Sequence, residues 1–214
     1  MKKHYIEQLI EEGEHQQQDF KFAINDAKKI ARSLVAFANT EGGRLLIGVK
    51  DNGKIAGVRS EEEIHMLEAA IELYTRPKIK AVVKPWNVHG KSVIEVTILP
   101  GKSKPYYAPD EHNCWKAYLR KGDTNIIANE LVVESWKRKR SQKGILMKLN
   151  KEHQDLINFL KEHGEITLMR YSRIAKISSD EAKKILIDLM VLDIIEYASK
   201  DNRTIYVLKN LQNR

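Results

Sequence analysis

The residues in this sequence best suited to chemistry are its cations. Lys137-Arg138-Lys139-Arg140, with Lys143 close behind, is the densest basic run of the chain. Overall, 37 Lys and Arg stand against 29 Asp and Glu, a formal net charge of +8. Lysine and arginine neutralise phosphates, and the arginine fork adds bidentate geometry. Lys21, Arg44, Lys50, Lys54, Arg120 and Lys121 join the run as candidate contacts to a nucleic-acid backbone. Trp86, Tyr106, Tyr107 and Trp115 offer rings that stack on single-stranded bases or pack a core. The basic run also has a plainer reading, as a solvated helix end where the dipole favours cations.

Other chemistries find little support. A phosphate-binding loop of the Walker type needs Gly, four residues, then Gly-Lys-Ser/Thr, so that glycine backbone wraps the phosphates. Gly43 and Gly48 have that separation, but Val49 stands where the lysine belongs. Gly90-Lys91-Ser92 and Gly101-Lys102-Ser103 have Pro85 and Val96 in place of the first glycine. No ATP site is expected. The seven histidines show no H-E-x-x-H spacing. Cys114, the single cysteine, reads as a buried structural thiol beside a strand, and it excludes an internal disulfide framework, as suits a reducing cytoplasm. No apolar run approaches a membrane span, and the N-terminus lacks the pattern of a signal peptide.

These residues need elements to hold them. Tyr5–Glu12 reads as a short helix, and Gln18–Ala23 alternates as a half-buried strand with Phe20 and Phe22 on one side. Asp26 caps a helix with Ile30, Ala31, Leu34, Val35 and Ala38 at helical spacing. Arg44–Lys50 is a buried strand, returning through the Asp51-Asn52-Gly53 turn to Ile55–Val58. Ser60 and Glu63 form a capping box for the next helix. Strands follow at Ile79–Trp86, Ser92–Leu99 and Trp115–Arg120, and a helix near Glu130–Arg138. This is an α+β domain over residues 1–140 with a mostly antiparallel sheet, joined by a basic, polar linker at 141–149 to a second domain at 150–214.

In the second domain, helices at Lys151–Glu162 and Met169–Ile174 precede a third with a Ser178/Glu181 capping box. A hairpin of Ile194–Ala198 and Thr204–Leu208 follows. Three small helices and a hairpin describe a winged helix-turn-helix. Its third helix sets Asp180, Glu181 and Asp188 against Lys183 and Lys184, a poor composition for reading a major groove. Lys200 and Arg203 on the wing remain candidate phosphate contacts, and dimerisation or partner docking is the competing role for this module.

A family resemblance runs through the first domain. Gly13-Glu14-His15-Gln16-Gln17-Gln18-Asp19-Phe20-Lys21, Val35-Ala36-Phe37-Ala38-Asn39-Thr40-Glu41-Gly42-Gly43 and Leu46-Ile47-Gly48-Val49-Lys50-Asp51-Asn52-Gly53 with Gly57-Val58 resemble the Schlafen/AlbA-type (AlbA_2, "divergent AAA-4") domain. Tyr118-Leu119-Arg120-Lys121-Gly122-Asp123 is similar to the family's tyrosine-x-arginine-x-glycine segment. The resemblance covers about residues 5–138. It implies an α+β nucleic-acid-binding domain of bacterial type, often followed by a winged helix, whose members carry labels such as transcriptional regulator or ATP-binding protein.

The resemblance also implies a site. Nuclease members hold a divalent metal on three carboxylates and cut RNA, and the matching positions here are Glu14, Asp19 and Asp51. Hard oxygens would hold Mg²⁺ or Mn²⁺, which polarises phosphate and activates water. Asp19 stands where the enzymes show Glu, one methylene shorter, and Asp is common in a turn such as that of Asp51 for local reasons. Three functions therefore stand open: a nucleic-acid-binding transcriptional regulator, a metal-dependent endoribonuclease acting on structured RNA such as tRNA, and a winged-helix module that assembles a homodimer. Preference between DNA and RNA is open as well.

Overall fold

The computed structural model describes residues 3–141, 149–200 and 203–209. The chain divides into two compact units, Met1–Ala128 and Asn129–Arg214. Most of the expected linker (142–148, with Lys143) and positions 201–202 of the expected hairpin turn lie outside the described residues.

The first unit opens with α1 (Tyr5–Glu12), capped by His4 and Glu7 and burying Ile6 and Leu9. Next come β1 (Gln18–Lys21), α2 (Ala27–Asn39), β2 (Gly43–Ile47), α3 (Glu61–Glu72), β3 (Ala81–Val88) and β4 (Lys91–Ile98). The four strands form one sheet in the order β1-β2-β4-β3, parallel only between β1 and β2. Alternation splits its side chains between two cores. Phe20, Leu46 and Val93 join Ile6 and Leu9 of α1, whereas Leu45, Ile47, Val96 and Ile98 join α2. A smaller antiparallel sheet of β5 (Tyr107–Pro109), β6 (Trp115–Lys121) and β7 (Thr124–Ile127) packs on α2 as well, through Ala108 and Tyr118.

Four local expectations are corrected. β1 ends at Lys21, so Phe22 leaves the sheet and is exposed. The return from the Asp51 turn is a single bridge, Val49 to Ile55, after which Ala56 and Gly57 both donate to the Gly48 carbonyl. Ser60 makes no side-chain cap. Glu63 instead accepts from the backbone N–H of Arg59 (2.9 Å) and of Ile24 (3.1 Å), joining α3 to the end of β1. Cys114 is exposed, because it closes the Asp110 turn that leads into β6.

The second unit begins with α4 (Glu130–Arg140), the helix read from sequence as the end of the first domain. Its apolar residues decide where it packs: Leu131 and Val132 are buried with Leu156, Leu160, Leu186 and Leu189. Then follow α5 (Lys151–His163), β8 (Glu165–Ile166), α6 (Leu168–Ala175), α7 (Ser179–Val191), β9 (Ile195–Lys200) and β10 (Arg203–Leu208), the strands ordered β8-β10-β9. The Ser178/Glu181 capping box at α7 is present. Among the described residues, no helix is long and apolar enough to cross a membrane.

Candidate functional site

Asp19 sits mid-strand in β1, on the α2 side of the sheet, 2% exposed. A lone carboxylate buried this deeply is costly unless it is paired. Lys21 Nζ lies 2.7 Å from one oxygen and Arg120 Nη2 lies 3.3 Å from the other. The Ser33 hydroxyl of α2 completes the set at 3.5 Å. Glu14 is next to it, accepting from the Phe20 N–H at 2.8 Å. Burial pushes the Glu14 carboxyl above its usual range; the Phe20 N–H opposes this, and the neighbouring Asp19 raises it again. The structure therefore brings Glu14 and Asp19 together.

Asp51 does not join them. Its turn follows Val49, which packs in the α1 core, and a Cβ at Gly53 of the same turn would stand 2.9 Å from Ile10 of α1. Side chains of a strand alternate between faces. The turn therefore leaves the sheet on the side opposite Asp19, with Asp51 exposed to solvent. Among the described residues, no three His, Cys, Asp or Glu converge. The donor set that remains does not suit a divalent cation: it is two carboxylates, and both Asp19 oxygens already face cations.

Arg120 is a second correction. Read from sequence as a phosphate contact, its side chain is 1% exposed. Nη2 donates to the carbonyls of Gln18 (3.0 Å) and His15 (3.4 Å) as well as to Asp19. Nη1 donates to Asn125 Oδ1, whose amide in turn donates to Ser33. The guanidinium lies over the Phe37 ring, 5.2 Å from its centroid. Arg120 thus ties β6 to β1. Gln16 adds to the tie by accepting from Gly122 N–H and donating to the Arg120 carbonyl.

The motif residues between these points are structural too. Asn39, 2% exposed, donates to the carbonyls of Tyr106 and Tyr118 and accepts from the Tyr106 N–H. Gly42 has φ +77°, and a Cβ there would meet the Ile98 carbonyl at 2.7 Å. Gly48 has φ +93° and lies against Gly57 so closely that a Cβ would stand 3.0 Å from its backbone.

The remaining cations separate into used and open ones. Lys21 is held by Asp19, and Arg44 is half-buried on β2. Within the basic run, Arg138 pairs with Asp188 (3.0 Å) and Glu134 (3.3 Å), and Lys139 with Asp193 (2.8 Å). Only Lys137 and Arg140 of the run are exposed without a described ion pair. Lys121 is exposed at the end of β6, Arg203 is exposed on β10, and Lys200 reaches Glu165 of β8. Among the aromatic candidates, Tyr106 is buried, Trp86 donates to Glu95 beneath Lys84, and Trp115 is covered by the Arg76 guanidinium at 4.0 Å.

One open group gathers at the end of the sheet. Lys50 and Lys54 are exposed, and the Lys50 N–H donates to the Lys54 carbonyl. Arg59, exposed beside them, was missed because a single cation between a strand return and a helix gives no pattern. The exposed face of α6 was missed as well. Arg170 and Arg173 lie on it, with Lys176 exposed at the C-cap beyond Ala175, although attention falls first on α7.

No curated protein matches the chain. Among solved structures, it is similar to the DIP2311 protein of Corynebacterium diphtheriae (19% identity, TM-score 0.45, 91% of this chain and 34% of that one). It is also similar to the N-terminal domain of a RecG-related protein of Nitrosomonas europaea (19% identity, TM-score 0.39, 69% of this chain and 98% of that one). This chain thus spans about a third of the first. The Schlafen, AlbA_2 family model matches residues 14–129, the segment that carries the Glu14–Asp19–Arg120 network and the structural asparagine and glycines. With more than half of its length so matched, the chain belongs to the Schlafen, AlbA_2 family.

Proposed function

We propose that this protein binds nucleic acid through the phosphate backbone, as a DNA-associated regulator, and not as a metal-dependent nuclease. The observation that carries the reading is the exposed cluster Lys50, Lys54 and Arg59, which has no ion pair among the described residues, in a Schlafen, AlbA_2 chain of net charge +8. Open cations neutralise phosphates and release counterions; buried ones such as Arg120 do not. The second unit is read as a winged helix, with α5, α6 and α7 as its helices and β9 and β10 as the wing. Its phosphate contacts are assigned to Arg170 and Arg173 of α6, to Lys176 at its C-cap and to Arg203, since the acidic residues of α7 disfavour that helix in a groove.

The adjacent Glu14 and Asp19 keep the endoribonuclease as the second reading. One experiment separates the two. Purified protein is incubated with labelled tRNA and with duplex DNA, each with Mn²⁺ or EDTA, and binding and cleavage are scored together. The proposal expects retention of nucleic acid in EDTA and no cleavage in Mn²⁺. Mn²⁺-dependent cleavage abolished by Asp19→Asn would establish the nuclease instead.

A further inference from the structure

We infer that Phe22, Lys50 and Arg59 form a stacking site for an unpaired base of single-stranded nucleic acid. The inference rests on the phosphate-binding reading above and adds the chemistry that recognises the base. Phe22 is 38% exposed, immediately beyond the end of β1. Lys50 Nζ lies 5.1 Å from its ring centroid and the Arg59 guanidinium carbon 5.0 Å. A lone exposed phenylalanine is unremarkable on a protein surface. Here the ring lies beneath two cations that lack ion pairs among the described residues, both on long side chains that swing off the face when a base stacks, so the site combines the two features that single-strand-binding surfaces use, an aromatic platform and backbone-neutralising charge.

The three side chains are held in place by backbone. The N–H groups of Gly48 and Val49 both donate to the Lys21 carbonyl, which fixes the exit of β2 against the exit of β1. The close approach of Gly48 and Gly57 brings the segment leading to Arg59 onto the same end of the sheet. Val58 N–H bonds the Ser92 carbonyl at 2.7 Å and Arg59 N–H bonds Glu63 at 2.9 Å. Asp51, Glu61 and Glu62 are exposed on the same segments and set a limit to the charge of the patch. Lys54, carried beside Lys50 by the turn, offsets part of it. A base stacked on Phe22 would place its flanking phosphates near Lys50 and Arg59. A paired base presents no free face, so the site selects unpaired strands.

The test compares two labelled single strands of about 12 nucleotides with the same number of phosphates, one of adenines and one abasic, by fluorescence anisotropy. Wild type should bind the adenine strand more tightly. Phe22→Ala should weaken that binding about tenfold, the scale of one lost stack, and leave the abasic strand within about twofold. Phe22→Trp should retain the preference and Phe22→Leu should lose it, with thermal unfolding unchanged in both. Lys50→Gln and Arg59→Gln should weaken both strands and each reduce the salt slope by about 0.7. Equal effects of Phe22→Ala on the two strands, or none, would overturn the stacking site while salt-dependent binding of the abasic strand kept the phosphate reading. Failure of wild type to bind either strand would overturn the stacking site, and the phosphate reading would fall with it only if duplex DNA and tRNA were not retained either.

Discussion

Replacing Arg120 by Met tests the claim that the tyrosine-x-arginine segment of this family is structural here. The substitution keeps much of the aliphatic stem and removes the guanidinium. Asp19, 2% exposed, would then face only Lys21 as a cation, and the carbonyl of Gln18 would lose its 3.0 Å donor. Breaking a buried ion pair by removing one partner costs about 3–5 kcal/mol. The surviving Lys21 ion pair at 2.7 Å reduces this, and the Gln18 carbonyl keeps the His15 N–H at 3.0 Å, so about 3 kcal/mol is expected. Urea unfolding followed by far-ultraviolet circular dichroism measures it, the two units being fitted as separate transitions. Asp19→Asn in the same background should restore about 1 kcal/mol, since the buried carboxylate then held by Lys21 alone is gone. A loss below about 1 kcal/mol, together with a smaller salt slope for nucleic-acid binding, would refute the reasoning and return Arg120 to the phosphate surface.

Glu14 gives a pH signature. Its folded pKa is raised above the ordinary 4.5, so the native state binds more protons in the interval just above that value and stability falls as pH rises through it. Glu14→Gln should flatten this segment of a stability-versus-pH profile. Gly48→Ala combines φ +93° with a Cβ 3.0 Å from the Gly57 backbone, and should cost about 2 kcal/mol or more in urea unfolding. In the basic run, Lys137→Gln with Arg140→Gln should lower DNA affinity without moving the melting temperature. Arg138→Gln, which breaks a partly exposed ion pair to Asp188, should cost about 1 kcal/mol or less.

Periodicity made the long elements legible. Ile30, Leu34 and Val35 declare α2, and the Ser178/Glu181 spacing declares the start of α7, because burial and capping leave regular marks in sequence. β5, β7 and β8 left none, being two to four residues long and defined by their partners. The site was legible as a set of residue types only. Sequence cannot say which face of a strand a distant turn joins, so Glu14 and Asp19 meet while Asp51 departs toward α1. Nor does it distinguish a cation that pairs internally from an open one: Arg120, Arg138 and Lys139 look like Lys50 or Arg140 until Asp19, Asp188 and Asp193 are placed beside them. Glu63 misleads for a related reason, since its spacing from Ser60 fits a capping box but its carboxylate is drawn to the unpaired N–H of Ile24.

The central claim is that open cations at the end of β1 and β2 bind phosphates. Its most direct measurement is the slope of log affinity against log salt for duplex DNA and single-stranded RNA, in wild type and in the triple variant Lys50→Gln, Lys54→Gln, Arg59→Gln. A steep wild-type slope that shrinks by about 2 to 3 in the folded variant is the predicted result, at about 0.7–0.9 per neutralised phosphate. An unchanged slope and affinity in the variant would contradict the account.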